Sequence, residues 1–264
     1  MGNLSKESVN QITKVLETCL AAGFEKIVIE NSKDGNSVRG MSEDQTCLLV
    51  TNEGGPSLDG AKALGLSRLN ILKSRIGVIN GIDKEISVST EVNAKGEVSS
   101  LQFKGERAKT QFRCASPSII KAPKGVNDQE FVKISIKKED VNIISNAIRA
   151  MQAKTLSLVG KLNKDTDNVE VFIEILDATQ DVFSIKVCDA AEFIDDSCED
   201  SVFAFDYLAS IFTALLKQNV SCLKEDEPVI ELLVGQIGSI WLKIYNNVFI
   251  ILQYVEDQEE QDNE

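Results

Sequence analysis

Apolar residues recur along this chain with two different periods, and the alternation between them lays out the elements. Val9, Ile12, Leu16 and Cys19 return every three or four positions, and so do Val141, Ile144, Ile148 and Met151. Each set forms one apolar stripe and predicts an amphipathic helix, over 5–21 and over 137–154. Glu139 and Asp140 fall in the first turn of the latter, where negative charge suits the helix dipole. Two more helices are predicted: 66–76, with Leu69, Leu72 and Ile76 inward, and 205–218, with Leu208, Phe212 and Leu215 inward. Much of the remainder reads as strand, including 26–30, 86–91, 98–103, 155–160, 169–176, 182–187, 229–234, 240–245 and 248–254. Residues 93–96 carry a hairpin signal, and Asn246-Asn247 is a tight-turn candidate.

The pattern repeats itself. Shifted by 132 positions, half the chain length, the stretch from residue 5 falls on the stretch from residue 137 without a gap. Lys6 meets Lys138, Glu7 meets Glu139, Val9 meets Val141, Asn10 meets Asn142, Ile12 meets Ile144, Phe24 meets Leu156 and Ile27 meets Val159. The repeat predicts two half-chains, each with two helices and about eight strands. Between them, 115–130 has no periodicity and holds two of the four prolines, which reads as a connector. The expected domains are therefore 1–114 and 131–255. Residues 256–264 carry six acids and no apolar side chain, a solvated tail.

Composition narrows the function classes. The 264 residues are 43% hydrophobic and 26% charged, enough for one large core or two of ordinary size. Net charge is -13, a surface that as a whole repels nucleic acid and anionic membrane. Histidine is absent, which removes histidine triads, histidine general bases and the common catalytic zinc sites. No pair of the six cysteines is spaced CxxC, and without a signal peptide at the start they are expected as free thiols of a cytoplasmic protein. No apolar run is long enough for a transmembrane helix. The nearest phosphate-loop match, 35–42, has Met41 where the lysine belongs. Asp195, Asp196, Glu199 and Asp200 around Cys198 read as a solvated acidic loop rather than a metal site. The expectation is no enzyme, no metal and no cofactor.

Charge is also segregated. The helix over 66–76 holds Arg68, Lys73 and Arg75 and no acid, and the four helices together are net positive inside an acidic chain. Opposite the apolar stripe of 137–154 run Lys138, Asn142, Ser145, Arg149 and Gln152, while Arg68 and Arg75, seven apart, share a face. Basic and polar helix faces suit a phosphate backbone; they are also what ordinary solvated helices carry. Periodicity alone leaves both readings open.

Several stretches carry a family resemblance. They are LSKESVNQITKVLE at 4–17, RLNILKSRIGVI at 68–79, TQFRCASPSIIKAPK at 110–124 and ISIKKEDVNIISNAIRAMQAKTLSLVGK at 134–161, with FDYLASIFTAL and NVFIILQ continuing the match. Through them the chain resembles the sliding clamps, the ring-shaped processivity factors of DNA polymerases, and most closely the T-even bacteriophage type. The resemblance spans residue 4 to about residue 255 as a pattern of similarity, with extra residues around 52–65 and 190–200 and in the tail. It implies an α+β fold of two similar domains, each with two helices on antiparallel sheets, and three copies closing into a ring with helices inside. It implies a non-catalytic protein that encircles double-stranded DNA, tethers a DNA polymerase and is loaded by a separate ATPase. With helices lining the ring, the residues expected to face DNA are basic residues of the four predicted helices: Lys6, Lys14, Arg68, Lys73, Arg75, Lys138, Arg149, Lys154 and Lys217. It puts a partner pocket near the connector, where Phe112, Ile119, Ile120 and Pro123 serve either as pocket wall or as a latch holding the connector down. Ring seams would pair exposed edge strands. The rival within the same fold is a monomeric processivity factor or adaptor that does not encircle DNA.

Overall fold

A computed structural model describes residues 2–32, 35–51, 55–194, 202–223 and 229–255. The acidic loop at 195–200 and the acidic tail at 256–264 lie outside the described residues. The chain divides into two compact units: one gathers the chain as far as Asn127 with Leu242–Ile250, the other Asp128–Trp241 with the chain from Ile251.

The first unit runs β1 (Gly2–Leu4), α1 (Lys6–Ala21), β2 (Lys26–Ser32), β3 (Gly35–Met41), β4 (Cys47–Thr51), β5 (Ala63–Ser67), α2 (Leu69–Ile82), β6 (Ser87–Val92), β7 (Glu97–Lys104) and β8 (Lys109–Arg113). A sharp start to α1 comes from Ser5, whose Oγ accepts the Ser8 N–H at 3.0 Å. Gly23, at φ 75°, lets the chain leave α1 for β2 through the left-handed region. The strand order is β1-β6-β7-β5-β2-β3-β4, with β8 on β7. Pairings are antiparallel except the short β5–β7 contact. Leu16, Ile27, Leu49, Leu64, Leu66 and Phe112 are fully buried in this core.

In the second unit come β9 (Glu130–Lys137), α3 (Asp140–Met151), β10 (Thr155–Asn163), β11 (Asn168–Leu176), β12 (Val182–Cys188), β13 (Glu192–Phe193), β14 (Phe203–Leu208), α4 (Ala209–Val220) and β15 (Val229–Gly235). The final hairpin is β16 (Ile240–Ile244) and β17 (Asn247–Ile251). One sheet has the order β12-β11-β10-β14, and β13-β9-β15-β16 forms the other pairing run. Tyr207 is fully buried, stacks on Phe212 at 5.9 Å and donates its hydroxyl to the Gly238 carbonyl at 2.7 Å. The residues of β17 up to Ile250 belong to the first unit, where β17 pairs with β4 and Phe249 meets Phe24 edge to face at 6.1 Å.

The connectivity repeats more faithfully than the letters. β1 pairs β6 as β9 pairs β15, β2 pairs β5 as β10 pairs β14, and in each half a helix follows β1 or β9 and β5 or β14. The 132-residue shift holds through the first helices: Leu4 opposite Val88 corresponds to Ile136 opposite Ile230. It fails after them. Ile27 pairs with Leu66 and Leu156 pairs with Tyr207, so Ile27 corresponds to Leu156 and not to Val159. The physical reason is length, since α1 spans 16 residues and α3 spans 12.

Strand pairing also moves helix starts. Leu66 is hydrogen-bonded into the sheet opposite Ile27, so α2 begins at Leu69 rather than 66 and runs on to Ile82. Phe205 to Leu208 pair with β10, so α4 begins only at Ala209. Lys138 lies in the turn before α3, and Lys154 lies in the loop after it. The last hairpin turns at Tyr245-Asn246, because Asn247 is drawn into β17, its amide oxygen accepting from the Thr51 hydroxyl at 3.1 Å.

Candidate nucleic-acid interface

In the first unit, α1 and α2 lie side by side and Lys73 bridges them, 3.7 Å from Glu17. Lys6 pairs with Glu85 at 3.3 Å, and both side chains are mostly solvated. Exposed pairs of this kind are weak and screened, so either lysine can exchange its carboxylate for a phosphate. Lys14 is exposed and holds its ammonium 4.7 Å from the centre of the Tyr245 ring.

Arg68 and Arg75 are placed differently from the sequence expectation. Arg68 is not on the helix but caps it, in the left-handed region at φ 55°. Both guanidinium groups reach to β8. Arg68 Nη2 donates to the Arg113 carbonyl at 3.4 Å and Arg75 Nη1 donates to the Gln111 carbonyl. They lie over the Phe112 ring, 5.3 and 5.8 Å from its centre. The two residues meet through the strand they cover rather than through helical spacing.

In the second unit, Arg149 and Lys217 are exposed in the last turns of α3 and α4, where a cation suits the helix dipole. Lys154 is exposed in its loop and Lys138 is half-buried. α3 and α4 pack against each other, so their exposed cations belong to neighbouring helices.

The outward face of α2 is partly apolar. Ile71, Val78 and Ile82 are exposed, 38%, 65% and 45%, although they form an apolar stripe of their own at i, i+7 and i+11. With Arg75 and with Ala108 to Thr110 they line a groove of about 490 Å³ between α2 and β8. The spacing is legible in the sequence; the wider stripe of Leu69, Leu72 and Ile76 masks it.

The connector residues separate cleanly. Phe112 has no exposed surface, so it is core and offers no pocket wall to a partner chain. Ile120 is buried and is a latch: its Cδ1 sits where a side chain at Gly65 would need space, and Ala115 N–H donates to the Gly65 carbonyl at 2.9 Å. Arg39, paired with Glu30, donates to the Ala122 carbonyl at 2.9 Å and fixes the connector further on. Ile119 is 72% exposed and Pro123 half-exposed. Among the described residues no cluster of carboxylates and thiols has metal-binding geometry. Burial pushes the thiols of Cys19 and Cys47 far up and that of Cys114 up to about 12.

No family model matches the chain, and no curated protein matches it. Among solved structures, a chain in the one described as "C-terminal region of FEN-1 bound to A. fulgidus PCNA" superposes with a TM-score of 0.63. That match covers 98% of this chain and 100% of the other at 13% identity, a likeness of fold. The fold is clamp-like. Among the described residues, no helix is long and apolar enough to cross a membrane.

Proposed function

We propose that this chain is the subunit of a sliding clamp that encircles duplex DNA and tethers a replicative DNA polymerase. One observation carries the reading. In the repeated connectivity β12 corresponds to β4 and β17 corresponds to β8. β4 and β17 are joined to each other, whereas β12 pairs only β11 and β8 pairs only β7 among the described residues. The chain thus carries a joint once, and the two halves of the same joint a second time, unmade. Pairing β8 of one copy with β12 of the next completes it, and a head-to-tail contact of this kind closes into a ring when the rotation allows.

The remaining features support the same reading. A clamp must hold DNA without reading it, which calls for many weak contacts to phosphates. Lys6, Lys14, Lys73, Arg149, Lys154 and Lys217 on exposed helix surfaces and helix ends suit that task, and the acidic remainder keeps DNA off other surfaces. Bond chemistry has no place in it, so the protein is not an enzyme, and opening the ring falls to a separate loader ATPase. Ile119 and Pro123, exposed on a connector anchored at both sides, are the apolar contact for the polymerase. Three copies and a T-even phage relationship follow from the sequence resemblance.

Light scattering after gel filtration over a range of concentrations tests the reading. A species of three times 28.9 kDa is expected, together with slow release from circular DNA and fast release from linear DNA with free ends. A monomer at every concentration overturns the ring and leaves the non-encircling processivity factor in its place.

A further inference from the structure

The register of β8 shows which of its backbone groups are spoken for. Cys114 N–H donates to Ser99 O, and Gly105 N–H donates to Ala108 O, both at 2.9 Å. With Leu101 opposite Phe112, residues 108, 110, 112 and 114 turn their backbone groups to β7. Lys109, Gln111 and Arg113 therefore turn theirs to the open edge. The carbonyls of Gln111 and Arg113 are the two that accept the guanidinium groups of Arg75 and Arg68. The same two groups close over the ring of Phe112, which is fully buried.

The repeat supplies a comparison inside the molecule. The buried positions of α2, Leu69, Leu72, Ile76 and Ile79, recur in α4 at Ala209, Phe212, Leu216 and Asn219. On that correspondence Arg75 matches Leu215 and Ile71 matches Ile211. Arg68 and Leu208 take the same place as the residues that cap the two helices, the first half carrying one residue more between strand and helix than the second. Leu215 and Ile211 are 0% and 4% exposed. So the half whose last strand, β17, is already joined has leucines at the two arginine positions. The half whose last strand is open has arginines.

We infer that Arg68 and Arg75 guard the open edge of β8 in the single chain and leave it when β12 of a second copy of this chain pairs there. This rests on the ring reading. An edge strand with free donors and acceptors invites pairing with any extended chain, and cationic side chains are a means of blunting it. The arriving strand must donate its own N–H groups to Gln111 O and Arg113 O and bring side chains against Phe112, the space the guanidinium groups hold. Their departure widens the α2–β8 groove that Arg75 lines, and the second copy covers Val78 and Ile82. It also turns two cations from backbone carbonyls to solvent, where DNA phosphates can take them. Arg68 and Arg75 are thus assembly-gating residues first and DNA contacts only after assembly.

The test is the dilution midpoint of assembly for the full chain, Arg68→Ala/Arg75→Ala and Arg68→Lys/Arg75→Lys, by light scattering, with amide exchange at Lys109, Gln111 and Arg113. Removing the guard should lower the midpoint by about tenfold, the worth of two exposed charge-assisted contacts. The lysine pair, which keeps the charge and loses the fork, should fall between. The three amides should exchange quickly in the single chain and slowly in the assembly. A midpoint unchanged or raised in the alanine variant overturns the guard, since the arginines would then be neutral or glue. If the wild-type chain stays monomeric while the alanine variant assembles, the guard stands and the native ring falls. If neither assembles at any concentration, both fall.

Discussion

At the scale of single residues, buried groups that titrate late give the first prediction. The thiol of Cys114 is pushed up to about 12 by burial from an ordinary value of 9.0, and Cys19 and Cys47 move in the same direction. Burial likewise raises the Tyr207 hydroxyl. An unfolded chain loses these protons at the ordinary pKa, while the folded chain keeps them to higher pH. Stability is therefore whole below pH 9 and falls as pH rises from there toward 12. Urea midpoints at pH 7.5 and pH 10 should differ, and less so in Cys114→Ala; equal midpoints would contradict the burial of these thiols. Gly65 gives a second prediction. A Cβ there would lie 2.5 Å from the Ala115 carbonyl oxygen, which is backbone and cannot swing aside. Gly65→Ala should cost about 1–3 kcal/mol, read as a lowered Tm. Asp83 is comparable: its carboxylate accepts the N–H groups of Arg107 and Ala108 and is almost buried. Asp83→Ala should cost about 1–3 kcal/mol by leaving those donors unpaired. None of the three is legible in sequence, because each depends on a partner far along the chain.

Within the connector, neighbouring residues take opposite places in the structure. Ile119 and Ile120 are adjacent in sequence and indistinguishable by type, yet one is 72% exposed and the other 8%. Ile120→Ala should cost about 2 kcal/mol or more as a core truncation. Ile119→Ala should change stability by no more than about 0.5 kcal/mol. Calorimetry on the two variants checks both figures. If Ile119 is the polymerase contact, its variant should lose polymerase binding with Tm intact, whereas a loss of both would make it part of the latch. The helices are more readable than the connector. The stripes of α1 and α3 rest on contacts three and four residues apart, and the hairpin over 93–96 rests on local turn chemistry, with Asn93 O accepting from Gly96 N–H at 3.0 Å. The starts of α2 and α4 escape such local reasoning, because β5 and β14 hold the preceding residues by pairing with strands some forty to fifty positions away.

For the whole molecule, the proposed sliding-clamp function turns on how many weak contacts would act together on DNA. Lys14→Ala, Arg149→Ala or Lys217→Ala alone should leave retention on circular DNA within about twofold. The three combined should flatten its salt dependence by about 0.9 log units for each phosphate that is no longer neutralised. Retention measured across a series of salt concentrations checks this; a single variant that abolishes it would mean a tight local site, incompatible with sliding. By itself the sequence determined the helical stripes, the strand-rich remainder, the repeat and the segregation of charge. These follow from local periodicity and composition, which need no partner. Only the tertiary structure decided that Phe112 is core, that Arg68 and Arg75 lie on backbone carbonyls, and that among the described residues β8 and β12 are open while β4 and β17 are joined. An edge is defined by the strand that is not beside it. That is a property of pairing across the whole fold, and no window of neighbouring residues contains it.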